Sequence, residues 1–274
     1  MGGSVCAEPT ALTCLAMRAH QVEANRWVHG LGSLARMQRS DGSIPVAGHV
    51  PSPGWPTGLA VLAWALANPD SPVAYADPIA RAVGWLVKTE GAELSPRPDV
   101  FGHDRTLKGW GWADQTHSWV EPTAYGVLAL RAVGRAEHAR VREGVRLLRD
   151  RGFSDGGWNY GNTRVFSNTL RPFPATTGIA LAALAGEPKN AQVEPSLRYL
   201  FKEMTHVRSP FSLGWGLIGL TSWGARPPEA DTWVGEAAAA STARAMNTLE
   251  DALLLLAAGL SGPLTSERKG DSDG

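Results

Sequence analysis

Glu121 is the residue whose type and setting best suit chemistry. It stands in Ser118-Trp119-Val120-Glu121-Pro122-Thr123-Ala124-Tyr125-Gly126, where a loop runs into the first turn of an apolar helix. A carboxyl group held there in a dry site can deliver a proton. An acid at that position also interacts favourably with the positive end of the helix, which depresses its pKa. Both readings stay open. Glu8, in the same local sequence Glu8-Pro9-Thr10-Ala11, adds weight to the capping one.

Four more polar groups precede Glu121 in a long connection: His103, Asp104, Asp114 and His117. They could hold a divalent metal, or His117 could tune Glu121 through a hydrogen bond. No metal-ligand spacing joins them, so no metal is expected and a loop-bracing role is the plainer reading. Aromatic side chains are the other candidates. Eleven tryptophans, many beside Gly, Pro or Asp, belong at helix ends and turns. Trp55, Trp110, Trp112, Trp119, Trp158 and Trp215 could line a cavity whose π faces stabilise a cation. Tyr125, one turn into the helix, and Tyr160, in a second long loop, join the proposed lining. Trp158 is expected to pack at a repeat junction instead, Asp155 to turn the chain with Gly156 and Gly157, and Cys14 to sit in the core. The chain has no phosphate-binding Gly loop, nucleophile elbow or zinc signature, and no cofactor is expected. Arg164 and Arg171 are the nearest candidates for a diphosphate.

The elements that must position these residues come from an internal repeat. Aligned helix starts place Thr10, Thr57, Thr123, Thr177, Leu213 and Thr248 in one column, 47, 66, 54, 36 and 35 residues apart. Pro suits the first helical position, and a small residue after Thr lets a neighbouring backbone come close. The runs that follow, such as Thr57 to Leu66, are apolar all round and predict buried inner helices. Between them lie helices with a polar face, at about 24–38, 76–90, 137–151, 192–206 and 229–245, which predict an outer layer. No strand pattern and no linker is evident. The expected fold is all-α: an α/α toroid of about six repeats over residues 1–263 as one domain, with a disordered polar tail over 264–274. The excess spacing falls in two long loops, 91–118 and 153–173, of the kind that commonly line a site.

Composition narrows the field. The 26 basic residues balance the 26 acidic ones, which argues against a nucleic-acid surface. Two cysteines without a CxxC spacing fit a reducing cytoplasm. The N-terminus lacks a signal-peptide pattern, and the longest apolar run near the C-terminus is about half of a membrane span. Peripheral membrane contact and oligomeric state stay open.

An outer helix, Gln or a substitute, Asp-Gly-x-Trp and then an inner helix resembles the repeat of the squalene cyclase and prenyltransferase superfamily. Gln38-Arg39-Ser40-Asp41-Gly42-Ser43-Ile44 keeps the Gln and Gly, and Asp155-Gly156-Gly157-Trp158 keeps the Gly and Trp. Gly109-Trp110-Gly111-Trp112-Ala113-Asp114, leading into Trp119-Val120-Glu121-Pro122-Thr123-Ala124, is similar to the segment of class II terpenoid cyclases where an Asp-rich motif opens an inner helix. In that family an Asp matching Glu121 protonates an alkene or epoxide. Trp119 and Pro122 stand where the family has further acids. The prenyltransferase branch needs zinc on Asp, Cys and His, and neither cysteine here has that context. The resemblance implies an isoprenoid- or lipid-handling cyclase-like protein with an apolar central cavity and an apolar small-molecule ligand. A non-catalytic helical-repeat module for an apolar ligand or protein partner is the alternative. A carbohydrate-active toroid is a third, which the apolar inner helices disfavour.

Overall fold

The computed structural model describes residues 5–50, 52–67, 72–96, 100–242, 247–259 and 264. The expected tail therefore lies outside the described residues, except for Leu264. Among the described residues the chain is mostly helical: α1 (Ala7–Ala19), α2 (Val28–Met37), α3 (Thr57–Ala67), α4 (Ala76–Lys88), α5 (Val120–Ala132), α6 (Ala139–Asp150), α7 (Pro174–Leu184), α8 (Val193–Met204), α9 (Pro210–Thr221), α10 (Ala230–Thr242) and α11 (Thr248–Ala258). None of them is long and apolar enough to cross a membrane.

The odd-numbered helices pack in a closed circuit, α1 on α3, α3 on α5, and so on to α11, which returns to α1. Each even-numbered helix packs against one or two of them from α2 to α10. The division follows composition. Every residue from Val120 to Leu130 in α5 and from Ala175 to Leu184 in α7 is buried. In α6, burial is confined to one stripe that includes Val141, Val145 and Leu148. A helix without a polar face is driven inside, and one with a single apolar stripe covers it.

The threonine column is a clasp between layers. Thr57 Oγ1 accepts from the Ile44 backbone N–H at 2.9 Å, Thr123 Oγ1 from Trp110 at 3.1 Å and Thr177 Oγ1 from Trp158 at 2.9 Å. The two tryptophans then close the end of the preceding outer helix. Trp110 Nε1 donates to Leu86 O of α4 at 3.0 Å, and Trp158 Nε1 to Leu148 O of α6 at 2.6 Å. These carbonyls fall in the last turn, where helical partners run out. The glycine after Thr is required by close approach: a Cβ on Gly178 would sit 2.0 Å from Trp215 O, and one on Gly58 2.8 Å from Tyr125 O.

The two long loops differ from expectation in one respect. They are not free of strand structure, because β1 (Arg164–Val165) pairs antiparallel with β2 (Asn168–Thr169). The loops also bind each other, through Gly102 N–H to Arg164 O at 3.2 Å and Phe166 N–H to Val100 O at 3.0 Å. Two-residue strands are too short for an alternating pattern to show in sequence.

Candidate functional site

Glu121 occupies the first turn of α5 and is buried. It is not bonded to its own helix end. The Val120 N–H is already taken by Tyr160 O at 3.0 Å, and the carboxylate Oε1 accepts from Thr176 Oγ1, on α7, at 2.9 Å. The expected fall in its pKa is reversed. Burial pushes it up, and the Thr176 bond offsets this only in part. Glu8, in the first turn of α1, is half-buried, and its pKa is pushed up to about 7, first by burial and then by the charge of Glu121. The two copies of Glu-Pro-Thr-Ala are thus close enough to repel. Helices α1 and α5 both pack against α3.

The aromatic candidates divide into two sets. Trp112 meets Trp55 edge-on at 4.7 Å, Trp55 stacks near Tyr125 at 6.1 Å, and Tyr125 lies 5.9 Å from Trp215 on α9. Tyr125 and Trp215 are fully buried, and the carboxylates of Glu121 and Glu8 push the Tyr125 phenol well above its ordinary pKa after burial has done most of the work. Trp215 Nε1 is buried with no hydrogen-bond partner among the described residues, an orphan donor. The space left beside Trp55 and Trp112 is only about 20 Å³. Trp119 stands elsewhere, 4.2 Å from the His117 ring, and Tyr160 is exposed against Phe173 at 5.2 Å. Trp158 is at a repeat junction and Cys14 is in the core, its thiol pushed up to about 12 by burial.

A roomy cavity of about 940 Å³ opens where α1, α2 and α11 meet. Met17, Trp27, Val46 and Leu249 supply apolar lining, and Glu8 and Arg26 are its charged residues. Glu8 therefore joins the buried acid pair to this groove. Reasoning from sequence weighed Glu8 only as a helix cap; its duplicated motif was the signal that it shared a setting with Glu121. Thr176 was missed because only the fold brings it to α5.

The loop residues assemble a different site. His117 lines a cavity of about 80 Å³ with His103, Arg105, Ser118, Arg151 and Asn162. No hydrogen bond joins His117 to Glu121 among the described residues. Burial, then the charges of Arg151 and Arg105, lowers the His117 pKa. Asp114 Oδ2 accepts from Ser52 Oγ at 3.3 Å, and Asp104 Oδ1 binds its own turn through Thr106. Among the described residues no group of three or more His, Cys, Asp or Glu side chains comes together as a metal site. Arg164 lines a neighbouring cavity with Arg105 and Asp150, whereas Arg171 lies 6.0 Å over Phe173. Asp155 is exposed on its glycine turn, with Gly156 and Gly157 at φ of 100° and 87°.

Neither a protein-family model nor a curated protein sequence matches this chain.

Proposed function

We propose that the chain is a terpene cyclase-like α/α toroid that takes an apolar, isoprenoid-like molecule at the groove by α1 and starts its cyclisation with a proton from Glu121. The observation that carries this reading is the carboxyl pair. Burial raises the pKa of both carboxyls, and the charge of Glu121 raises Glu8 further, to about 7, so up to about neutral pH the pair keeps a proton on Glu8, from where it passes to Glu121. A proton donor must be protonated at working pH. Donation breaks the carboxyl O–H bond, forms a C–H bond on the alkene and leaves a carboxylate beside a carbocation. The Thr176 hydroxyl is placed to stabilise that carboxylate. Trp55, Tyr125 and Trp215 do not line the groove, and their π faces would serve a cation that moves inward from it. Glu8, at the groove, returns the proton to Glu121 from solvent. The orphan Trp215 N–H fits an interior that accommodates something polar or polarisable beyond its own side chains.

A second reading has one observation in its favour. Tyr125 and Trp215 fill the interior, and the roomy space is an open groove, as a non-catalytic module for an apolar ligand would have. One experiment separates the two: incubation with a linear polyprenyl substrate, with products read by mass spectrometry. The expected result is a cyclised product from the native chain and none from Glu121→Gln at unchanged helicity. A ligand that binds and is recovered unchanged from the native chain leaves the binding module standing and removes the proton donor.

A further inference from the structure

We propose that the pocket formed where the two long loops meet the end of α6, walled by His103, Arg105, His117, Ser118, Arg151 and Asn162, binds a tetrahedral oxyanion of the phosphate type. This site is separate from the acid pair and does not depend on the function proposed above.

Four features of the pocket point the same way. Among the described residues its lining contains two guanidinium groups and no carboxylate, with Leu94 and Phe101 as apolar wall. Two polar atoms of these lining residues, His103 Nδ1 and Arg151 Nε, are buried without a hydrogen-bond partner among the described residues. Buried donors left unpaired are uncommon and costly, and an oxyanion accepts from several at once. Further donors converge there. Ser118 Oγ accepts from Gly109 N–H at 2.7 Å, which leaves its hydroxyl proton free to donate. Arg105 spends one bond on Ser95 O at 3.0 Å and lies 4.4 Å over Phe101. Finally, the space of about 80 Å³ suits a group of a few heavy atoms.

The pocket is also preorganised. Asn159 Oδ1 accepts from the Gly161 and Asn162 N–H groups at 2.9 and 3.1 Å, which fixes Asn162. The cross-loop bonds Gly102–Arg164 and Phe166–Val100 hold the two walls together. Arg151 is anchored through Nη1 to Asp104 O and Asp150 Oδ2, both at 3.1 Å. Asp150 and Asp104 line the neighbouring cavity of about 450 Å³ and not this one, so they offset the charge of Arg151 from behind. The offset is incomplete. Burial holds Arg151 down at about 10 despite both acids, and burial with Arg151, Arg105 and His117 pushes His103 down to about 3. His103 is therefore neutral at physiological pH and can turn an Nδ1–H toward an anion. The neighbouring cavity shares Phe101, His103 and Arg105, and has room for the organic part of a phosphate ester.

The test uses the full chain, titrated calorimetrically with inorganic phosphate at constant ionic strength, with chloride as the balancing ion. A second arm uses glycerol 3-phosphate. Saturable phosphate binding below about 10 mM is expected, together with a loss of at least about tenfold in Arg105→Met, as befits a charge-assisted bond. His103→Phe, which leaves both arginines and fills the cavity, should weaken binding similarly; it also serves if Arg105→Met folds poorly. Tighter binding of the ester marks a small molecule as the natural source, and equal binding marks the free ion. Absence of saturation, equal displacement by chloride, or unchanged affinity in both variants overturns the proposal.

Discussion

The interior of the helical circuit and the pocket under the long loops each bring like charges together with one member buried, Glu121 in the first and Arg151 in the second, and they relieve the repulsion by opposite means. Glu8 and Glu121 can shed a charge by keeping a proton, and the raised pKa of Glu8 is that relief. Arg105 and Arg151 cannot, because a guanidinium stays protonated under all ordinary conditions. There the relief comes from a neutral His103, from partial counter-charge by Asp150, and, on the present account, from a bound anion. A pair of acids that keeps a proton is suited to move protons; a pair of arginines around a pocket is suited to hold an ion. The supports differ as well. The acids sit in the first turns of inner helices, whereas Arg151 caps the end of an outer helix and Arg105 stands on the first long loop.

This contrast can be broken by mutation. The largest effect is expected from Glu121→Gln, which should lower product formation at least about a hundredfold, as loss of a general acid does, while phosphate affinity at the loops stays the same. Loss of both would merge the two regions into one site. Next comes Glu8→Gln. Its carboxyl has a folded pKa of about 7 against an ordinary 4.5, so between these values the folded chain holds a proton that the unfolded chain has released. Through that window Glu8 should cost the native chain about 3 kcal/mol of stability as pH rises, read by urea unfolding as the difference between the native chain and Glu8→Gln, both of which keep the contributions of His103 and Glu121.

Trp158→Phe removes the N–H that closes α6 at Leu148 O and should lower stability by about 1–3 kcal/mol with no change in the titration of Glu8. A shifted Glu8 titration would show that the repeat junction sets the interior field. The smallest effect is expected at His103. It stays neutral in the folded chain down to about 3, against an ordinary 6.5, so stability should fall as pH drops through that range. His103→Phe should reduce this acid-side loss by on the order of 1 kcal/mol, allowing for partial exposure, as read by thermal melts at pH 4 and 7.

The helices were legible because their periodicity is strong. The polar-faced segment read at 76–90 is α4 at Ala76–Lys88, and the one at 192–206 is α8 at Val193–Met204. The threonine column was also visible as a pattern, although its work as a clasp on Ile44, Trp110 and Trp158 needs coordinates. Glu121 stood out for its loop-to-helix setting, but its burial, its bond to Thr176 and its repulsion with Glu8 depend on helices distant in sequence. The basic pocket was harder still. Arg105 belongs to the first long loop and Arg151 to the end of α6, and the bond from Arg151 Nη1 to Asp104 O that ties them depends on the fold. Arg164 and Arg171 are the more visible pair in sequence because they share a loop.

The central claim is that the paired acids keep a proton beside an apolar groove. The most direct measurement is the carboxyl-carbon NMR titration of Glu8, identified by its absence in Glu8→Gln, in the native chain and in Glu121→Gln. The account predicts a Glu8 midpoint near 7 in the native chain and a lower one once the charge of Glu121 is gone. A native midpoint at the ordinary 4.5, unmoved by Glu121→Gln, would contradict it.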